Sequence, residues 1–303
     1  MKSPIVFFAF NRPVHTKKSL DSLINNKECL QSSFFSFVDG PRNNLDNKNI
    51  KEVISIIKSY KKNFKSFKIV TQKTNQGCAT QVISNLSKVF ETFNSLIYLE
   101  DDIVVSKHFL SFINSGLYKY ENNIKVKSIS GFSFNAFNSL TEPFFLRTFF
   151  TWGFGLWKRT WSEFDHSTPN LIEILKQKKC LSKFTYDFSN YNLDSYNKFL
   201  KGQKGAWDVR LSASILLNDG LTLIPHKSLT QNIGTDGTGT NFTFSTNKYD
   251  VSLYNNPIIH FPELVIESKT AYKLLVNFYK SKQSAFLYKL KYFFQRLILK
   301  RTN

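Results

Sequence analysis

The amino-acid sequence predicts an α/β protein: a mostly parallel sheet flanked by helices. Three observations carry that reading. β-type and helical segments alternate through residues 4–105, polar residues gather where each β-type run ends, and the last thirty or so residues turn into a basic amphipathic helical pattern. In order, "PIVFFAF" (4–10), "SFFSFVDG" (33–40), "KSFKIVTQ" (65–72) and "SLIYLE" (95–100) are short runs rich in Phe, Val and Ile. Between them, helical spacing puts Leu20, Leu23 and Ile24 on one face of 14–24, Val53, Ile54 and Ile57 on one face of 50–60, and Leu86, Val89 and Phe90 on one face of 82–93. Such alternation implies parallel strands joined by covering helices, and ligands of these sheets bind beyond the carboxyl ends of the strands. The polar residues there are Asn11 and Arg12, then Asp39, then Glu100, Asp101 and Asp102. If the first, second and fourth strands are neighbours, all of these face one crevice.

With 303 residues, 42% of them hydrophobic, the chain can bury a substantial core. The apolar run Pro4 to Phe10 is shorter than a signal-peptide core, and no stretch approaches the roughly 20 apolar residues of a membrane span. A cytoplasmic chain is therefore expected. Cys29, Cys78 and Cys180 lack metal or redox spacing and read as small core residues in a reducing compartment. The 41 Lys and Arg outnumber the 22 Asp and Glu, a formal charge of +19 that calls for an anionic partner: nucleic acid, an acidic membrane surface or a phosphorylated substrate.

In "IYLEDDIVV", residues 97–105, three carboxylates interrupt an apolar strand. Adjacent acids repel one another and resist burial unless they emerge into water or are neutralised by a cation. The stretch is thus a solvated strand exit or a metal site, and its position after four alternating units favours the metal. Hard cations such as Mg²⁺ or Mn²⁺ take oxygen ligands, typically one or two carboxylates plus the phosphates of a nucleotide. Asp102, the outermost acid, is the expected direct ligand; Asp101 would meet the ribose or a metal-bound water, and Glu100 would orient its neighbours.

The ordered blocks "FFAFNRPVHTKKSLDSL", "FVDGPRN", "NQGCATQVISNL", "IYLEDDIVVSKHFLSFIN", "WGFGLWKRTW", "GAWDVRL" and "SLTQNIGTDGTGT" resemble bacterial sugar-nucleotide glycosyltransferases of GT-A (Rossmann-like nucleotide-binding) fold. More distantly they are similar to N-acetylglucosaminyltransferase I of the eukaryotic Golgi. The resemblance runs from about Pro4 to Asn241. It implies a catalytic domain over 1–265, with a nucleotide-sugar-binding half (1–105) and an acceptor-binding half (106–265), followed by a tail over 266–303. It also implies a nucleotide-sugar donor, a UDP-sugar in the first place, held through Mn²⁺ or Mg²⁺ at the acidic triplet (the DxD motif, here EDD). The acceptor would be a glycan or lipid-linked glycan of bacterial surface polysaccharide, lipopolysaccharide or capsule.

Residue by residue, the resemblance makes Arg12 and Asp39 nucleotide contacts and places Asn75 at the donor site, although Asn75 also suits a loop cap. Trp152, in "TWGFGLWKRTW", is expected as an acceptor wall and Trp161 as core, because indole faces either stack on sugars or fill interiors. Transfer with inversion needs a base for the acceptor hydroxyl. Asp208, which follows Trp207 at the start of a buried helix, resembles the family's catalytic aspartate, with Trp207 on the acceptor side. A helix N-terminus would hold its pKa low. "NIGTDGTGTN" combines mobile glycines with Thr hydroxyls and Asp236, as in a loop that orders over a bound donor. His226 and His260 are further, weaker metal-ligand candidates.

From Ala271 to Asn303 no acidic residue occurs, while Lys273, Lys280, Lys282, Lys289, Lys291, Arg296, Lys300 and Arg301 alternate with Leu and Phe. This reads as a basic amphipathic helix suited to an anionic membrane surface, with packing of its apolar stripe on the catalytic domain as the alternative. The expected location is the inner face of the cytoplasmic membrane. Two other classes compete. A basic nucleic-acid-binding protein would explain the charge and the aromatic residues, but no recognised RNA or DNA motif is present and the acidic crevice would repel phosphate without a metal. A nucleotidyltransferase would keep the triplet but needs a Gly-rich phosphate loop that "AFNRPVHTK" lacks.

Overall fold

A computed structural model describes residues 2–164, 171–187, 192, 207–237 and 249–281. Its first half runs β1 (Ile5–Ala9), α1 (Pro13–Leu23), β2 (Ser33–Val38), α2 (Asn44–Ser59), β3 (Ser66–Thr71), α3 (Cys78–Thr92) and β4 (Ser95–Glu100). A short β5 (Ile103–Val105) follows, then α4 (Phe109–Lys119), β6 (Val126–Ser130), β7 (Phe144–Leu146), β8 (Phe154–Trp157) and α5 (Lys158–Ser162). Beyond these lie α6 (Leu171–Gln177), α7 (Leu181–Phe184), α8 (Trp207–Leu217), β9 (Leu221–Ile224), β10 (Thr230–Asn232) and α9 (Lys269–Ser281).

The main sheet has eight strands in the order β3-β2-β1-β4-β8-β6-β9-β7. The β3-β2-β1-β4 half is parallel throughout, as helical crossovers require, and β8 and β7 run against it. The first, second and fourth strands are therefore neighbours, and Ala9, Val38 and Glu100 end side by side. Because side chains alternate across a strand, Ile5 and Phe7 face α1, α2 and α4 in one cluster with Leu20, Val53 and Ile113. Val6 and Phe8 face the other side, with Val82 and Leu86 of α3 and Leu211 and Ile215 of α8.

A third cluster is rich in aromatic residues and includes Phe132, Phe134, Phe137 and Phe150. Ala271, Leu275, Val276 and Tyr279 of α9 are buried in it. The first part of the expected tail, from Ala271 to Tyr279, thus packs its apolar stripe on the α/β body, as the alternative reading held. Arg147 ties the approach to this helix by ion pairs to Glu267 and Asp219. The rest of the tail, 282–303, lies outside the described residues. Among the described residues no helix is long and apolar enough to cross a membrane.

Candidate active site

The acidic triplet is a sharp turn rather than a solvent exit. Asp101 and Asp102 join β4 to β5 with only 3% and 8% of their surface exposed. What neutralises them is Arg12, at the start of α1: its Nη2 donates to Asp101 Oδ1 at 2.7 Å and to Asp102 Oδ2 at 2.9 Å. Burial alone would lower the pKa of this guanidinium, but the two carboxylates outweigh it and hold the group charged. Asp101 also accepts from the amide of Phe10 at 3.0 Å. Burial nevertheless pushes its pKa upward, with Arg12 opposing. Glu100 points elsewhere, accepting from the Tyr98 hydroxyl; burial, then the charge of Asp102, raises it to about 8.

Asp102 Oδ1 stands apart: it is buried and has no hydrogen-bond partner. A buried carboxylate oxygen without a donor is costly, so this atom suits a hard cation. Among the described residues no group of three or more His, Cys, Asp or Glu could hold a metal. The donor set thus fits a cation taking Asp102 and few other protein ligands, the rest of its shell coming from a bound molecule such as a diphosphate. His226 and His260 belong to no such group, and burial lowers the pKa of His226.

β10 pairs antiparallel with β5, which brings the "NIG" segment against the triplet. The amide of Ile233 donates to the Asp102 carbonyl at 2.8 Å. Gly234 lies so close that a Cβ there would come within 2.2 Å of Asp102 Oδ2 and 2.9 Å of Arg12 Nη1, which is why the position needs Gly. Asp236, expected in a loop that orders over a bound donor, pairs with His15 of α1 at 3.0 Å. Residues 238–241 of the same stretch lie outside the described residues.

Asp39, expected to contact the nucleotide, is engaged by its own loop. Its two oxygens accept from the amides of Gly40, Gln76 and Gly77 and from the side chains of Asn75 and Gln81, at 2.8–3.3 Å. Asn75 also donates to the Gly40 carbonyl, so it acts as the loop cap that its chemistry allowed. Asp39 therefore positions the residues that open α3. The first of these is Cys78, read from sequence as core but exposed in the structure. The atoms crowding it, then the charges of Glu100, Asp208 and Asp102, push its thiol pKa up, while the Trp207 indole donates to its sulfur. The thiol thus senses the charge of both the triplet and Asp208, and a Cys directly after Gly77 at a helix start was the available signal.

Asp208 stands in the first turn of α8 as expected, but its pKa is raised rather than lowered: burial outweighs the Val209 and Asp208 amides and nearby Arg210. Trp207 is 4% exposed and lies among Tyr98, Phe149 and Phe154, so its face is core rather than an open sugar platform. Trp152 is half-buried, edge-on to Phe132 and Tyr249. Trp161 is core, with its indole N–H donating to Ser87.

No family model matches the sequence, and no curated protein sequence matches it. Among solved structures, the crystal structure of S. aureus TarS aligns with a TM-score of 0.51 at 11% identity, covering 78% of this chain and 37% of that one. The crystal structure of the glycosyltransferase GlyE of Streptococcus pneumoniae TIGR4 aligns at TM-score 0.38 and 13% identity, covering 74% of this chain and 45% of that one. The chain spans less than half the length of either. Its likeness to TarS is one of fold.

Proposed function

We propose that this protein is a metal-dependent, inverting glycosyltransferase that moves a sugar from a nucleotide-diphosphate donor, in the first place a UDP-sugar, to a glycan acceptor. The observation that carries the reading is the buried, partnerless Asp102 Oδ1 beside Arg12, at the carboxyl ends of parallel strands. A divalent cation bound there would neutralise charge on the departing diphosphate. Arg12 binds and orients the same diphosphate, since α1 opens with Pro13 and has no acidic residue in its first turn. A carboxylate oxygen of Asp208, in the first turn of α8, takes the proton of the attacking acceptor hydroxyl. The acceptor is a glycan or lipid-linked glycan of a bacterial surface polysaccharide such as lipopolysaccharide or capsule. The basic residues of 282–303 bring the enzyme to an anionic membrane on its cytoplasmic side.

Substituting Asp102→Ala tests the reading. A panel of nucleoside diphosphates with and without Mn²⁺ should raise the melting temperature of the wild-type chain by mass action, and the variant should lose the Mn²⁺-dependent part. Equal stabilisation of wild type and variant would refute the metal site.

A further inference from the structure

Two buried carboxylates and one guanidinium share a turn in which Asp102 Oδ1 is left without a donor. We propose, building on the donor reading above, that Arg12 is the resident counter-cation of Asp101 and Asp102. It yields Asp102 to a divalent cation only when a nucleoside diphosphate offers the guanidinium a new anion.

Asp101 and Asp102 are buried, and leaving both without a cation carries a large desolvation penalty, so the turn needs a positive charge before any metal arrives. Arg12 supplies it through a single nitrogen, Nη2, that reaches both acids. A cation approaching Asp102 Oδ1 therefore meets a guanidinium 2.9 Å from the other oxygen of the same carboxylate, and the two positive charges repel. The backbone at Gly234 fills the space beside Arg12 Nη1 and Asp102 Oδ2, which leaves little room for both charges to relax apart on that side. Arg12 nonetheless keeps 20% of its side chain exposed, enough for the guanidinium to meet a ligand. A diphosphate takes a guanidinium through paired N–H···O bonds at least as well as a carboxylate does. Once the diphosphate holds Arg12, Asp102 would be free to ligate a cation, which would supply charge neutralisation to the same diphosphate. Cation and diphosphate should accordingly bind weakly alone and strongly together, each raising the other's affinity by the same factor.

The test measures Mn²⁺ binding to the full chain by water-proton relaxation, with and without UDP, for wild type, Arg12→Gln and Arg12→Lys. Wild type should bind Mn²⁺ weakly alone and much more tightly with UDP. Arg12→Gln should bind Mn²⁺ alone about ten- to a hundredfold more tightly than wild type, the scale of a charge-assisted contact removed, and UDP should add little. Arg12→Lys, which keeps the charge but not the forked reach, should fall between, and it decides the matter if the Gln variant does not fold. If neither variant binds Mn²⁺ alone more tightly while UDP still tightens Mn²⁺ on wild type, Arg12 is an ordinary ion pair: the inference falls and the donor reading stands. If wild type binds no Mn²⁺ even with UDP, both fall.

Discussion

Asp208 is subject to two opposed effects. The N-terminal amides of α8 favour its anion, whereas burial favours the neutral acid, and burial is the larger. A carboxyl raised in this way is a stronger base once ionised, which suits proton removal. Activity should therefore decline as pH falls through its raised pKa, above the ordinary aspartate range. The sign for stability is the reverse of a salt-bridged acid: the contribution of Asp208 is full below its unfolded pKa and lost as pH rises through the folded one. In Asp208→Asn, kcat should drop by ~10²–10⁴-fold while UDP affinity with Mn²⁺ stays near wild type and neutral-pH stability holds or rises. Steady-state kinetics beside calorimetric UDP binding check this, and lost UDP binding would make the residue structural. That Asp208 opens a buried helix was legible in "GAWDVRLSASILL"; which effect would win was not, because burial at this helix start comes from segments distant in sequence, as the packing of neighbouring Trp207 against Tyr98, Phe149 and Phe154 shows.

Elements followed from local periodicity where apolar residues repeat and were missed where they do not. α2 is the instructive case. Apolar spacing placed a helix at 50–60, yet it begins at Asn44, because its first turns, "NLDNKN", carry no apolar repeat: the one apolar residue, Leu45, is exposed and the buried one is Asp46. The start is set instead by Asn43, whose side chain accepts from the amides of Leu45 and Asp46 at 3.0 and 3.2 Å. Asn43→Ala should cost about 1 kcal/mol, read as a lower urea midpoint at unchanged slope. The pairing of β5 with β10 was not legible for a different reason: a three-residue strand carries almost no pattern, and its partner lies more than a hundred residues away. That pairing brings Gly234 to Asp102, so the candidate site was only half readable. Its acids and Arg12 stood out as polar residues at strand ends, but the mutual neutralisation of Arg12 with Asp101 and Asp102 depends on a turn that only the fold creates.

At the scale of the molecule, the charge of +19 and the C-terminal region have to be separated. The sequence of 271–303 reads as one continuous basic amphipathic stripe, but the structure gives its first part a different task. Ala271, Leu275, Val276 and Tyr279 are buried against the aromatic cluster of Phe134, Phe137 and Phe144, and Tyr279 stacks on Tyr186 at 5.0 Å. Two truncations should therefore behave differently. A chain ending at Ser281 keeps this helix and loses Lys282, Lys289, Lys291, Arg296, Lys300 and Arg301, each worth on the order of 1 kcal/mol at an anionic surface. Its binding to vesicles rich in phosphatidylserine should fall sharply. A chain ending at Ser268 also strips the apolar face from the third cluster, and should be on the order of 5 kcal/mol less stable than the first, since each large buried side chain contributes about 1.5–3 kcal/mol. Urea unfolding of both chains, with vesicle co-sedimentation of the longer, separates the two tasks. Equal stabilities would show that the helix is not part of the core, and undiminished vesicle binding without 282–303 would place any membrane contact on the α/β body.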